Sequence, residues 1–156
     1  MFDSKMNLDK FEKIIHKTDV LLCKELDELF AELQPITIDE MMGEWQVGYL
    51  FTEGTGSKFE TFLRYLPIKL YGKRFLSKNK VQAWVFSLFG IKFGFPGATS
   101  ILETIDYRSK VSTSMIYNYL PMIDHFRKID DCTVMGIMEI KGKVIEPISK
   151  RSKAAC

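Results

Sequence analysis

The residues best suited to chemistry are His125 and Arg127, which stand two positions apart and share one face if this segment forms a strand. Directed into an apolar cavity, a histidine that titrates near neutral pH and a fixed guanidinium could hold a carboxylate or polarise a carbonyl. The neighbouring Phe126 competes for the inward direction, because apolar residues usually mark that face. Arg127 could instead pair with Asp130 or Asp131 at the cavity mouth, which would leave His125 solvated. The sequence leaves both orientations open.

Two tyrosines and a glutamate are further candidates for the same cavity. Tyr107 and Tyr117 each end a run of mixed apolar and polar residues, so their hydroxyls could orient a ligand or act as acids. A buried tyrosine with one hydrogen bond is the commoner case. Glu139 shares a face with Met135, where a carboxylate is either paired or has a raised pKa. It could pair with Arg127 across a hairpin, and such pairs are structural more often than catalytic.

Apolar residues would line the rest of the cavity. Trp45 is predicted first as a core residue packed on the N-terminal helix, and second as a ligand contact. Four methionines concentrate in the C-terminal half, and methionine adapts to irregular spaces, although an ordinary core explains them nearly as well. The predicted ligand-binding residues are Trp45, Tyr107, Met115, Tyr117, His125, Arg127, Met135 and Glu139.

These side chains must be positioned by a fold that begins with a helix. Apolar residues recur at spacings of three, four and seven between residues 8 and 33, which is typical of an amphipathic helix. The helix could break near Thr18-Asp19, because both residues favour caps over helix interiors. Thr37 and Glu40 then have the spacing of a capping box, which predicts a single helical turn before Gly43.

From Glu44 onward the apolar period changes to two, which indicates strands. Short turns favour antiparallel neighbours, so we expect a mainly β fold: a small antiparallel barrel or half-barrel with the helix over one end or one open edge. Lys73 and Arg74 could contact a phosphate at the barrel rim, but a solvated edge is the favoured prediction for them. Further strands are predicted at 69–76, 81–86, 100–108, 110–117, 125–129 and 133–140.

Composition narrows the class of protein. The 156 residues, 46% of them hydrophobic, suffice for one domain, and a net charge of +2 argues against a nucleic-acid or membrane surface. Three widely spaced cysteines, Cys23, Cys132 and Cys156, are predicted to be reduced thiols. The longest apolar run, VFSLFGIKFGF, is too short to span a membrane. We therefore expect a cytoplasmic protein, monomer or homodimer, without metal or cofactor.

The stretch GEWQVGY resembles a G-x-W-x-G pattern, with Gly43 and Trp45 in place and the second glycine displaced by one position to Gly48. YGKRF (71–75), VSTSMIYNYLPMIDHFRKIDD (111–131) and TVMGIMEIKG (133–142) are similar to the rest of the GXWXG-motif family and its companion C-terminal domain of unknown function. The resemblance implies a calycin-like or lipocalin-like barrel that binds small hydrophobic molecules. The end, EPISKRSK, departs from such proteins because it lacks an aromatic closing strand, which leaves closure of the barrel open.

The resemblance and the strand pattern predict a helical segment (1–36), a barrel domain (37–148, with parts at 37–95 and 98–148) and a disordered basic tail (149–156). The leading function is binding of a small apolar or amphipathic molecule in the barrel. One alternative is a cofactor-free isomerase, cyclase or hydrolase, with His125 as base, Arg127 steadying an oxyanion and Tyr117 as acid. Another is an interaction module that uses the open strand edge.

Overall fold

A computed structural model describes residues 2–14, 19–52, 68–140 and 143–153 of the chain, with side chains at 5–14, 24–48 and 68–140. Helices α1 (Phe2–Ile14) and α2 (Asp19–Glu32) occupy the region of the helix predicted over 8–33, for which a break near Thr18-Asp19 was expected as one alternative. Helix α2 begins at Asp19, the second residue of the predicted break, and Thr18 lies outside the described residues. Within the part of the chain described, no helix is long and apolar enough to cross a membrane.

The short helix α3 (Ile38–Met41) confirms the predicted capping box. The Thr37 hydroxyl accepts the backbone N–H of Glu40 at 3.3 Å, and the Glu40 carboxylate accepts the backbone N–H of Thr37 at 2.8 Å. These two bonds satisfy N–H groups that lack partners at a helix start. Gly43 follows with a φ of 115°, a conformation that favours glycine, and turns the chain into the first long strand.

All strand pairings are antiparallel, and every predicted strand is present with shifts of a few residues at its ends. The strands are β1 (Gln34–Pro35), β2 (Gly43–Thr52), β3 (Ile68–Ser77), β4 (Lys80–Leu88), β5 (Ile91–Gly94), β6 (Thr99–Tyr107), β7 (Lys110–Tyr117), β8 (Met122–Asp130), β9 (Thr133–Ile140) and β10 (Lys143–Lys153). Sequence reasoning missed β1, β5 and β10. A 3₁₀ turn at Pro96–Ala98 leads into β6.

The pairings close the sheet into a ring. Its strand order is β2-β3-β4-β6-β7-β8-β9-β10, and β10 returns to β2, while β1 adds to β8 and β5 adds to β4. The shortest pairing in the ring is that of β4 with β6, where the described residues pair at two positions, Val81 with Ser100 and Gln82 with Thr99. The prediction of a disordered tail is wrong for residues 149–153, because they belong to β10 and pair on both sides.

Two hydrophobic clusters lie on opposite faces of the barrel wall. The inner cluster is Ile36, Met41, Trp45, Phe75, Val81, Ala83, Ala98, Leu102, Met115, Tyr117, Phe126 and Val134. The outer cluster joins α1 and α2 to the outside of β8 and β9 through Phe11, Leu26, Leu29, Phe30, Leu33, Ile129, Met135 and Ile137. The helices therefore cover a face of the wall, whereas an end or an open edge was predicted.

The cysteine prediction fails at one position. Cys132, in the turn between β8 and β9, is disulfide-bonded, so the expectation of three reduced thiols is wrong for this residue. The side chains of Cys23 and Cys156 lie outside the described set.

Candidate ligand site

A polar group lies on the inner face of the barrel, among the residues of the inner cluster. It consists of Lys73, Tyr117 and Asp124, which we call the inner polar group. Lys73 Nζ lies 2.8 Å from Asp124 Oδ2 and donates a hydrogen bond of 2.8 Å to Tyr117 Oη. The Lys73 ammonium also donates to the carbonyl of Ala83 at 3.3 Å. Lys73 is 1% exposed and Asp124 and Tyr117 are each 4% exposed, so this ion pair is shielded from solvent.

Strand alternation places these three residues inside. Lys73 is two residues before Phe75, Asp124 two before Phe126, and Tyr117 two after Met115, and those three apolar partners belong to the inner cluster. These apolar residues show which face of β3, β7 and β8 points into the barrel. At β3 the close approach depends on Gly72, since a Cβ there would lie 1.9 Å from the carbonyl oxygen of Trp45.

Two buried polar atoms on this face have no hydrogen-bond partner among the described residues. Tyr117 Oη donates to Asp124 Oδ2 at 3.3 Å, so both contacts of this carboxylate fall on one oxygen. Asp124 Oδ1 lacks a partner, and so does the hydroxyl of Ser100. Ser100 pairs directly with Tyr117 across β6 and β7 and with Val81 across β4, so its side chain points inward as theirs do.

A second polar group lies on the outer face beneath the helices. It consists of Tyr107, Ser114, His125, Arg127 and Glu139, which we call the outer polar group. His125 Nδ1 lies 2.8 Å from Ser114 Oγ, and His125 Nε2 lies 3.3 Å from Glu139 Oε2. The imidazole ring stacks on Tyr107 at 3.8 Å with the two planes 4° apart. His125 is therefore held on two edges and one face.

Arg127 fastens helix α2 to the barrel. Its guanidinium donates to the carbonyl of Phe30 at 2.6 Å and to that of Tyr107 at 2.7 Å, and lies 4.4 Å above the Phe30 ring. Phe30 is in the last turn of α2, where carbonyl groups lack partners within the helix. Lys110 Nζ completes the cap by donating to the carbonyls of Ala31, Glu32 and Leu33 at 2.7, 3.1 and 2.9 Å.

Burial sets the electrostatics of the outer polar group. It lowers the pKa of His125, and the hydrogen bond and negative charge of Glu139 only partly oppose this effect. Burial likewise lowers the pKa of Arg127 and raises that of Tyr107. The imidazole is thus favoured in its neutral form beneath the helices.

The structure divides the eight predicted ligand residues between the two faces. Trp45, Met115 and Tyr117 are in the inner cluster. The remaining five, Tyr107, His125, Arg127, Met135 and Glu139, lie on the outer face, so the prediction that all eight share one cavity is wrong. The inward direction on β8 belongs to Asp124 and Phe126.

Three predicted pairings also differ from the structure. Glu139 contacts His125 and not Arg127, and Asp131 pairs with Lys128 at 2.7 Å. Among the described side chains, Trp45 packs in the inner cluster and not in the cluster that joins α1 and α2 to the wall. Its indole N–H donates to the carbonyl of Met41 in α3 at 2.8 Å.

Sequence reasoning missed Lys73, Asp124 and Ser100 as inner residues. Lys73 was predicted to lie on a solvated edge beside Arg74, but it is buried, whereas Arg74 forms an ion pair with Glu44 at 2.9 Å. A usable signal was present, since Lys73 shares the face of Phe75 and Asp124 that of Phe126.

Two surface pockets lie near β1, outside both polar groups. One has a volume of about 220 Å³ and is lined by residues that include Ile36, Ile38 and Thr113. The other, of about 280 Å³, is lined by residues that include Gln34, Glu40 and Lys128. Neither contains a predicted site residue.

Comparisons with known proteins found two family models and a solved structure that match the chain. Residues 28–88 match the family model described as "GXWXG protein", and residues 98–151 match "Domain of unknown function (DUF4334)". A crystal structure of a protein from Thermomonospora curvata is similar, with a TM-score of 0.75 and 27% sequence identity over 97% of this chain and 98% of that one. No curated protein matches the chain.

Proposed function

Since the chain belongs to the GXWXG proteins and pairs that domain with a domain of unknown function, we propose that its barrel binds a small amphipathic molecule at the inner polar group. The apolar part of the molecule would contact inner-cluster residues such as Met115, with Trp45 as a further contact. Its polar end would meet Lys73, Asp124 and Tyr117. Small barrels of eight strands can hold one small ligand in this way.

The observation that carries the proposal is the buried ion pair of Lys73 and Asp124. Removing two charges from water costs several kcal/mol per ion, on the order of what their attraction returns, so apolar residues of similar size often stabilise a fold as well or better. A pair in the middle of an apolar barrel is therefore poorly explained by stability. It is well explained by a need to orient a polar group, since ligand cavities are mostly apolar with a few convergent polar groups.

Each member of the inner polar group has a distinct role in the proposal. Lys73 neutralises Asp124 and contacts its Oδ2, and Asp124 supplies its Oδ1 as an acceptor for the ligand. Tyr117 forms a hydrogen bond with each of them and holds the two side chains in position. The geometry thus favours a neutral ligand, because the charges of Lys73 and Asp124 already compensate each other.

A ligand screen with two variants tests the proposal. Fatty acids, terpenoids and tetrapyrroles should be added to the purified protein, and a binding class should raise its melting temperature. The double variant Lys73→Met with Asp124→Leu should lose that rise. His125→Gln, on the outer face, should keep it. Indifference of the wild-type protein to all classes, or an equal rise in the double variant, would count against the proposal.

The two alternative functions were predicted from features that the structure arranges differently. The enzyme hypothesis placed His125 and Arg127 in the barrel cavity, but both lie on the outer face and contact the helices or their neighbours there. The interaction hypothesis relied on an open edge at the end of the chain, and β10 fills that edge by pairing with β2 and β9.

Location in the cytoplasm remains part of the proposal, and Cys132 provides its test. Disulfides persist mainly in oxidising compartments and are rare in the cytosol. Host cells should be lysed directly into an alkylating agent, and the peptide that contains Cys132 analysed by mass spectrometry. An alkylated thiol agrees with a cytoplasmic location, whereas the disulfide of the structure contradicts it.

A further inference from the structure

Resting on the proposed function, we propose that the ligand carries a hydroxyl group, which donates to Asp124 Oδ1 and accepts from Ser100 Oγ. The hydroxyl would complete the hydrogen bonds of the inner face. The inference concerns the chemical class of the ligand, which the presence of a binding site alone does not specify.

Both contacts of the Asp124 carboxylate with described residues are made by one of its two oxygens. Lys73 at 2.8 Å and Tyr117 at 3.3 Å both contact Oδ2. Oδ1 is buried and has no partner among the described residues. An ionised carboxylate can only accept hydrogen bonds, and a buried acceptor left unpaired is costly. The group that meets Oδ1 must therefore bring an O–H or N–H donor.

Ser100 supplies the second condition. Its hydroxyl is buried on the same face, in the cross-strand row that runs from Val81 through Ser100 to Tyr117, and it too lacks a partner. A serine hydroxyl has one proton to donate. Tyr117 is a neighbour that the two residues share, because it pairs with Ser100 in the ladder and donates to Oδ2 of Asp124. One group that both donates and accepts would satisfy both residues.

Other polar groups fit these conditions less well. An ether or ketone only accepts and would leave Asp124 Oδ1 unpaired. A carboxylate would add negative charge beside Asp124, and an ammonium would add positive charge beside Lys73, although those two residues already neutralise each other. A neutral hydroxyl donates once and accepts up to twice, so it can bond both Asp124 and Ser100 without adding charge. A site built around a hydroxyl rejects analogues that lack it.

Matched alcohols and ethers test the inference. Octan-1-ol and its isomer heptyl methyl ether provide a linear pair, and 2-naphthol and 2-methoxynaphthalene provide a flat pair. Their dissociation constants should be measured by isothermal titration calorimetry at pH 7. We expect at least one alcohol to bind about tenfold more tightly than its ether, as loss of one buried hydrogen bond implies.

Two buried serines on opposite faces provide the matched variants. Ser100 and Ser114 are each 1% exposed, but Ser114 bonds His125 on the outer face. Ser100→Ala should weaken binding of the alcohol by about fivefold, because the ligand oxygen loses its donor, and should weaken binding of the ether by a similar factor. Ser114→Ala should leave both affinities unchanged.

The outcomes separate the two proposals. Equal affinity for alcohol and ether, or an alcohol affinity that Ser100→Ala does not reduce, overturns the hydroxyl inference and leaves ligand binding in place. Binding of none of the four probes, by a protein that also ignores the ligand screen, overturns both. A preference for the alcohol, together with an alcohol affinity that Ser100→Ala reduces, supports both.

Discussion

The inner and outer polar groups each bury a cation almost completely, but they use it differently. Lys73 and Arg127 are both 1% exposed. Arg127 donates to backbone carbonyls at the end of α2 and at the end of β6, so its bonds join elements of the fold. Lys73 bonds mainly to side chains, one of which keeps an unpaired oxygen. Burial of a charge is thus no sign of a binding site by itself.

The partners of the buried cation distinguish the two groups. Where the cation donates to carbonyls that have no partner at the end of a helix, it completes the hydrogen bonding of the fold. Where its hydrogen bonds end on a carboxylate inside an apolar barrel, the structure alone gives little reason for them. The comparison predicts that changes in the inner group alter ligand binding, and that changes in the outer group alter how the helices hold to the wall.

The largest effect is expected from Lys73→Met. This change leaves the carboxylate of Asp124 buried without its counter-charge, which should lower the free energy of unfolding by about 3–5 kcal/mol. The double variant with Asp124→Leu should recover most of that loss, because both charges are gone. Urea denaturation of the wild type, the two single variants and the double variant gives the four values. A double variant no more stable than Lys73→Met would contradict the account of this pair.

Arg127→Met should have a smaller effect that is local to the helices. The carbonyls of Phe30 and Tyr107 lose their donor, at a cost of about 2–3 kcal/mol. Amide hydrogen exchange should speed up in α2 more than in β3 and β4, and ligand affinity should not change. Arg127→Lys, which keeps the charge but not the fork of donors, provides the control and should be intermediate. Loss of ligand binding in Arg127→Met would break the division between the two groups.

The two tyrosines that sequence reasoning treated alike should separate. Tyr117→Phe removes a hydroxyl that bonds both Lys73 and Asp124, and should cost about 1–2 kcal/mol. Tyr107→Phe removes a buried hydroxyl that has no hydrogen-bond partner of normal geometry among the described residues, and should change stability by less than about 0.5 kcal/mol. Thermal and urea unfolding measure both. Equal losses would show that the hydroxyl of Tyr107 is engaged after all.

The smallest expected effect is a pH dependence that arises from His125. Its pKa is lowered in the folded protein, so the unfolded chain takes up a proton first as the pH falls below about 6.5. Stability is therefore fully present above that pH and declines below it, by at most about 1.4 kcal/mol per pH unit for one proton. The melting temperature of His125→Gln should fall less than that of the wild type between pH 6.5 and 5.

Two carboxylates with lowered pKa values titrate below the range from pH 6.5 to 5, so they do not affect the comparison of wild type with His125→Gln. The backbone N–H of Thr37 is the main cause that lowers the pKa of Glu40 to about 2, and a hydrogen bond from Lys92 is the main cause that lowers that of Glu44 to about 2. Their contributions to stability are present above about pH 4.5 and are lost as the pH falls towards 2. An identical slope in wild type and His125→Gln above pH 5 would contradict the assignment to His125.

Much of the fold could be predicted from the sequence because its local signals agree with one another. The period of two, the turn residues and the Thr37-Glu40 capping box all describe the observed elements. Strand β10 could not be predicted, since EPISKRSK carries a proline, charges and no alternating apolar residues. Its backbone is held by β2 on one side and β9 on the other, and this tertiary pairing overrides weak propensity.

The site could be predicted only in part, because β8 is buried on both faces. Residues 124–127 are all buried, so alternation of apolar and polar residues no longer marks one interior. Phe126 correctly indicated the barrel side, and Asp124 goes with it. His125 and Arg127 looked like cavity residues, but helices α1 and α2 create a second buried face for them. Nothing in the spacing of residues 122–130 shows that the helices dock there.

The most direct test of the central claim, that the inner polar group holds a ligand, is native mass spectrometry of protein purified from its own host. Wild-type protein, Arg127→Lys and the double variant Lys73→Met with Asp124→Leu should be compared. We predict a small molecule bound one to one in the wild type and in Arg127→Lys, and absent from the folded double variant. A small molecule bound at equal occupancy by the double variant would contradict the claim.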